Sequence, residues 1–352
     1  RVIGVALKVL VKLEGERDVG ARAVRAEALG ALARAWSSAT AHSKATDAKT
    51  KGAGTFDIAS VVQRVVKALE DDSEWVRDSA SMGLTHAAVA RSQTATESMS
   101  QPAVVNALED ATTNDAGFTC AIRSCLFEPL LAACGMHSTE SRRVRIGIAR
   151  AWARFIHEAA RENVAEYHEI VGYSIKLLLS QPLEDDAHVC ASFLYIIRVG
   201  CLAKADEASL RATLASATQA LRGADISRLL ISLRTVRDTI EVIGSVDEDA
   251  WTSVVEAIHD TLHIDHRHVQ IEAAQAMRAL AVACPTKLVA QLRAALRELE
   301  NHVAAVDVES SLVSFGAALH VAALVSTGEE FTSGLPSSIL RDAASMGIRC
   351  AT

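Results

Sequence analysis

Four segments of the chain lie over one another on a single hydrophobic spacing. They begin at Val24, Val76, Val144 and Val269, and at offsets of 4, 7, 8 and 11 the same kinds of side chain return. The sets are Ala28, Ala31, Leu32, Ala35; Ala80, Gly83, Leu84, Ala87; Ile148, Ala151, Trp152, Phe155; and Ala273, Ala276, Met277, Leu280. Side chains three or four apart share one face of an α-helix, so each set predicts a stripe turned inward. The small residue at offset 7 (Ala31, Gly83, Ala151, Ala276) sits beside a large one, which lets a neighbouring helix approach closely. Two further segments join less perfectly: Val189, Phe193, Ile196, Ile197, Gly200, and Val308, Leu312, Phe315, Gly316, Leu319.

Two polar features accompany the stripe. A basic or amide side chain follows the valine in four copies (Arg25, Arg77, Arg145, Gln270), and an acidic one lies four before it in four (Asp72, Glu140, Asp185, Asp265). Two readings of the carboxylates stand side by side: capping of the helix start, where orphan N–H groups and the dipole favour anions, or a repeat-to-repeat Asp/Arg ladder.

Half of the 352 residues are hydrophobic, yet only 4% are aromatic and five are proline. Small and aliphatic side chains on closely spaced helices suit this composition, and no series of alternating strands with turn dipeptides stands out. Helices are expected at 1–13, 19–36, 57–70, 74–91, 117–135 with a bend at Pro129, 141–161, 165–180, 186–203, 207–222, 225–244, 249–263, 266–283, 286–300 and 305–326. Polar stretches at 38–55 and 92–101 are expected to be flexible insertions, and 327–352 an irregular tail with a last short helix. Allowing for an extra pair around Leu229, Leu233 and Val236, the later intervals between copies approach 40 residues, the period of HEAT and armadillo repeats. The expectation is an all-α fold: one α-solenoid of antiparallel helix pairs over 1–352, in which stacked neighbours build a continuous core that a lone repeat cannot.

The run Arg143, Val144, Arg145, Ile146, Gly147, Ile148, Ala149, and the run Val269 to Ala274 continuing through Ala281, Val282, Ala283, Cys284, Pro285, resemble repeats of the HEAT-repeat-containing protein 5 family. Lys287 to Leu299, Phe315 to Leu324 and the turn Gly334, Leu335, Pro336 follow the order of elements in that family's N-terminal half. The resemblance covers about 140–340. The insertions at 38–55 and 92–101 have no counterpart in it. It implies a very long cytosolic solenoid, of which this chain is an excerpt. The implied role is non-enzymatic: an accessory to the type-1 clathrin adaptor, supporting adaptor recruitment and vesicle traffic, peripheral at the trans-Golgi network and endosomes. Its partners would be proteins associated with the clathrin adaptor.

The remaining chemistry points the same way. A formal net charge of −7 argues against a nucleic-acid partner, and Arg142, Arg143 and Arg145 read as a solvated helix start. No apolar run reaches the ~20 residues of a bilayer span. Seven cysteines lack metal-site spacing, and most fall in apolar helical stretches, as small hydrophobes in a reducing compartment. His259, His263, His266 and His268, with Asp260 and Asp265, read as an exposed polar turn without a metal. His157 and Glu158 lack the second histidine of a zinc-protease helix. Lys51 to Thr55 is a poor phosphate loop, and Trp36, Trp75, Trp152 and Trp251 read as repeat packing. No catalytic residue, cofactor, metal or small-molecule ligand is expected. Partner contact is expected on the polar sides of second helices, at Arg150, Arg154, Gln275 and Arg278, on a concave face. A nuclear-transport-type receptor or a regulatory scaffold subunit of an enzyme assembly are the alternatives.

Overall fold

In the computed structural model, residues 6, 9–10, 16–44, 57–99, 117–134, 138–162, 164–180, 187–223, 225–304, 310–331 and 334–351 are described. Their order is α1 (Val19–Lys44), α2 (Ile58–Ala68), α3 (Glu74–Met99), α4 (Gly117–Ala121), a π-helical segment π1 (Ile122–Phe127), α5 (Glu128–Cys134), α6 (Thr139–Glu162), α7 (Val164–Ser180), α8 (Ala187–Tyr195) and a second π segment π2 (Ile196–Leu202). There follow α9 (Glu207–Ala220), α10 (Ile226–Ile243), α11 (Glu248–Leu262), α12 (Arg267–Ala283), α13 (Pro285–Ala304), α14 (Ser310–Ser326), a 3-10 turn (Thr327–Glu330) and α15 (Ser337–Ala351). The fold is all-α, as the spacing predicts.

Contacts divide the chain into two units, one of Arg1–Ser174 with Ala191–Lys204, the other of Ile175–Cys190 with Ala205–Thr352. In the first, α1 packs on α3 and α3 on α6; in the second, α10 packs on α12 and α12 on α14. These are the second helices of successive pairs, and all but α1 also pack on a described first helix: α3 on α2, α6 on α5, α10 on α9, α12 on α11, α14 on α13. In the second unit the second helices α10 and α12 begin at Ile226 and Arg267, an interval of 41 residues, matching the HEAT and armadillo period.

The inward stripe is present in four copies. Val76, Ala80, Gly83, Leu84 and Ala87 are buried, as are Val144 with Ile148, Ala151, Trp152 and Phe155, Val269 with Ala273, Ala276, Met277 and Leu280, and Val189 with Phe193, Ile196, Ile197 and Gly200. The first copy departs: Val24 is 63% exposed, and α1 instead buries Ala23, Ala26, Leu29, Gly30, Ala33 and Ser37. Val308 lies outside the described residues.

The reason for the shift in α1 is a backbone contact. A Cβ on Gly30 would overlap the carbonyl of Gly83, and one on Gly83 would overlap the carbonyl of Ala26, so α1 and α3 meet where neither has a side chain. Hydroxyls reinforce such close crossings: Ser37 Oγ donates to the Ala90 carbonyl at 3.1 Å, and Thr85 Oγ1 to the Ala151 carbonyl at 3.2 Å.

Several boundaries differ from the expectation. α1 runs on through Lys44 and α3 through Met99, so the polar stretches begin as further helical turns; 45–56 and 100–116 lie outside the described residues. The bend expected at Pro129 is preceded by π1. Proline supplies no N–H and crowds the carbonyl one turn back, and a wider turn accommodates both. Gly244, with φ 71°, ends α10 in the left-handed conformation that glycine takes at no steric cost.

Candidate functional site

The side chain after each valine has one role in all four copies, and it is neither of the two considered for the carboxylates. Arg25 Nε donates to the Leu10 carbonyl at 2.7 Å, Arg77 Nη1 to those of Asp71 and Asp72 at 2.8 and 2.7 Å, Arg145 Nη1 to Ala133 at 2.9 Å, and Gln270 Nε2 to Leu262 at 3.1 Å. For Arg77, Arg145 and Gln270 the acceptors lie in the last turn of the preceding helix (Ala133, Leu262) or in the turn just past it (Asp71, Asp72), where α-helical bonding supplies no partner; the residues that follow Leu10 lie outside the described residues. The second helix of a pair therefore caps the first. Arg145, 2% exposed, is held there as a buried cation.

The acidic positions divide. Asp72 belongs to a ladder: it pairs with Arg143 on α6 at 2.5 Å, while its neighbour Asp71 pairs with Arg22 on α1 at 2.9 Å. The turn between α2 and α3 thus binds the repeat before it and the repeat after it. Glu140 and Asp265 are exposed, and the helix starts beside them are capped by Ser138 Oγ and His266 Nδ1. Asp185 lies outside the described residues.

The four residues expected at a partner surface lie on second helices, two in each unit. In the first unit, Arg154 Nη2 meets Asp78 at 2.7 Å and Arg150 stands 3.9 Å from Glu74, both partners on α3. In the second, Arg278 Nη2 meets Glu330 at 2.6 Å, and the Gln275 side-chain oxygen accepts from Arg237 Nη1 at 2.5 Å. Arg237 and Arg234 converge on Glu272, at 3.1 and 2.7 Å. The side chains of Arg150, Arg154 and Arg278 remain 38, 33 and 40% exposed, so each is fixed by a neighbour yet open to solvent. Sequence spacing placed them on a polar helix face; their partners, dozens of residues away, were not visible in it.

A groove of 220 Å³ also opens in the second unit, lined by Leu214, Thr218, Ile243, Val246 and Val254, with Arg211 paired to Glu207 and Asp247.

The histidine turn differs from its expectation as an exposed loop. His259 and His263, one turn apart on α11, reach Glu298 on α13: His259 Nε2 lies 2.9 Å from Oε2 and His263 Nε2 3.1 Å from Oε1. His302, one turn beyond Glu298, is 4.0 Å from Oε1, and the ring of His320 on α14 is centred 6.1 Å from that of His259. The hydrogen bond to Glu298 raises the pKa of His259 against the opposing effect of burial. Burial lowers that of His263 and pushes that of His320 down to about 4. At Glu298 burial acts upward, but the His259 hydrogen bond and the nearby imidazoles bring the pKa below its ordinary value. His266 and His268 stand apart, with rings 5.7 Å from one another. Reading only the turn missed Glu298, His302 and His320; the signal available was a second pair of ligand-type residues four apart on a helix some 39 residues on.

Trp152 is buried as expected of repeat packing, donating to Ser174 Oγ at 3.1 Å and set edge-on to Phe127, whereas Trp75 is 60% exposed. Cys125, Cys190 and Cys201 are buried, and burial drives the Cys125 thiol up to about 11. Lys51 to Thr55 and the Trp36 side chain lie outside the described residues. No helix among the described residues is long and apolar enough to cross a membrane.

No protein-family model matches the chain. Protein SWEETIE of Arabidopsis thaliana is 26% identical over 305 residues, a distant homologue; the match covers 82% of this chain and 13% of that protein's length. Among solved structures, two engineered proteins are each 18% identical. One has a TM-score of 0.31, covering 77% of this chain and 100% of its own; the other has 0.35, covering 96% and 91%. The assignment of the fold rests on the helices and their pairing.

Proposed function

We propose that this chain is part of a non-enzymatic interaction scaffold, its 352 residues forming successive repeats of one helical array. The observation that carries the proposal is the repeated pair itself: a second helix that caps the first through Arg77, Arg145 or Gln270. Such a pair spends its polar groups on joining helices and presents partly exposed, ion-paired side chains at fixed positions. Those side chains suit recognition of another protein's surface.

Within that reading, the resemblance of 140–340 to the HEAT-repeat-containing protein 5 family supports a role in recruiting the type-1 clathrin adaptor, in traffic between the trans-Golgi network and endosomes. The protein would act peripherally from the cytoplasm, bound to adaptor-associated proteins.

The contact residues proposed are Arg150 and Arg154 in the first unit and Gln275 and Arg278 in the second. Changing all four to glutamate is expected to abolish recovery of the adaptor complex from cytosol on the immobilised chain, with helical circular dichroism retained. Undiminished recovery by a folded variant would remove these residues from the surface; absence of the adaptor from the unmodified chain's partners would remove the trafficking role and leave the scaffold.

A further inference from the structure

We propose that His259, His263 and Glu298 form a binding site for one divalent transition-metal ion of the zinc class, with His302 completing the ligand set. This goes beyond the scaffold reading and does not depend on which partner the scaffold binds.

The donor atoms of the first three residues lie within 4.8 Å of one another, and all three side chains are half-buried. They come in two pairs, each with the four-residue spacing that turns ligands to the same side of a helix: His259 and His263 on α11, Glu298 and His302 on α13. Two or three imidazoles with one carboxylate are a borderline-soft nitrogen and oxygen set, which suits zinc, cobalt(II) or nickel(II) better than magnesium or calcium.

A second observation comes from the wall of the cluster. His320 is 4% exposed, and neither of its ring nitrogens has a hydrogen-bond partner among the described residues. A buried imidazole with both nitrogens unsatisfied is costly. Its ring lies beside that of His259, where it can serve as an outer partner to the metal-bound group or exchange with a ligand.

Without metal, one carboxylate faces several imidazoles and satisfies two at hydrogen-bond distance. With metal, His259 and His263 bind as neutral imidazoles and Glu298 as carboxylate. The proton shared between His259 and Glu298 goes to solvent, so no oxidant or further reactant enters. Because α11 and α13 are first helices of consecutive pairs, the ion would staple one repeat to the next.

The test uses the whole chain, stripped with chelator, titrated with zinc by calorimetry and with cobalt(II) by visible absorption. One equivalent is expected, with cobalt bands of tetrahedral type and no thiolate charge-transfer band. His263→Ala and Glu298→Gln should each weaken zinc binding by more than the roughly 10- to 100-fold that outer-partner changes cost. His302→Asn should weaken it less, and the paired change His266→Asn with His268→Asn should leave it unaltered. Octahedral cobalt spectra, a thiolate band, or zinc affinity unchanged in Glu298→Gln would overturn the proposal. Stoichiometry and spectrum are read on the unmodified chain, so a variant that fails to fold does not remove the test.

Discussion

α1 and α12 carry the same five-position pattern, yet only one of them obeys it. In α12 the stripe from Val269 to Leu280 is buried throughout; in α1 the equivalent valine is 63% exposed and the buried face is rotated. The difference lies in how much each pattern weighs. α12 has Met277 and Leu280 to anchor one face, whereas the buried and exposed sides of α1 both consist largely of alanine. Burying one face of such a helix gains little over burying another at roughly 25 cal/mol per Å². The choice then falls to Gly30, which allows backbone contact with Gly83. A hydrophobic period fixes a helix's orientation only where its side chains differ in size.

The sharpest way to break this comparison is to put a carboxylate at the two valines. Val269→Asp buries an unpaired charge and should cost on the order of 3 kcal/mol or more, read as a fall in the urea midpoint. Val24→Asp should stay within about 0.5 kcal/mol, and comparable losses at both sites would return Val24 to the interior.

Next in size is the glycine crossing. Gly30→Ala should destabilise by about 1–3 kcal/mol, because α1 and α3 must separate. Gly172→Ala, on α7 with nothing near its Cβ position, should stabilise by up to about 1 kcal/mol through helix propensity alone. Opposite signs for one chemical change would confirm that the crossing, not the helix, requires glycine.

Removal of a cap comes third. Gln270→Met should cost about 1–2 kcal/mol, since it strips the Leu262 carbonyl of a buried donor, while Arg25→Met on the more open α1 should cost less. Equal losses would mean that the two hydrogen bonds contribute alike despite their different burial. Smallest is the pair of Arg154 and Asp78: a double-mutant cycle should give a coupling below about 1 kcal/mol that shrinks with added salt, as for other partly exposed ion pairs.

Helix positions and their pairing were legible in the sequence because the apolar period is strong from 140 onward and the turns carry clear stops such as Gly244. Less legible were the polar stretches after Ser37 and Ser92, whose first turns continue α1 and α3: serine and threonine signal a loop, but alanines among them keep a helix going once nucleated. The residue after each valine was recognisable as a recurring feature. Its bond was not, because the acceptor is a carbonyl delivered by the turn of the pair. The same limit applies to the candidate surface. Arg154 and Arg278 could be placed on a polar face, but Asp78 and Glu330 meet them only through stacking. His259 and His263 looked like a solvated turn until α13 brought Glu298 against them.

Reaching back from the second helix to close the first also determines where this protein can be divided. A cut between α11 and α12 would strand the Leu262 carbonyl on one fragment and Gln270 on the other. A cut between Ala283 and Pro285 leaves that hydrogen bond whole. The hairpin of two helices is therefore the indivisible module. Deletion, duplication or transplantation of this fold should proceed in whole hairpins, with each boundary at the exit of a capping helix.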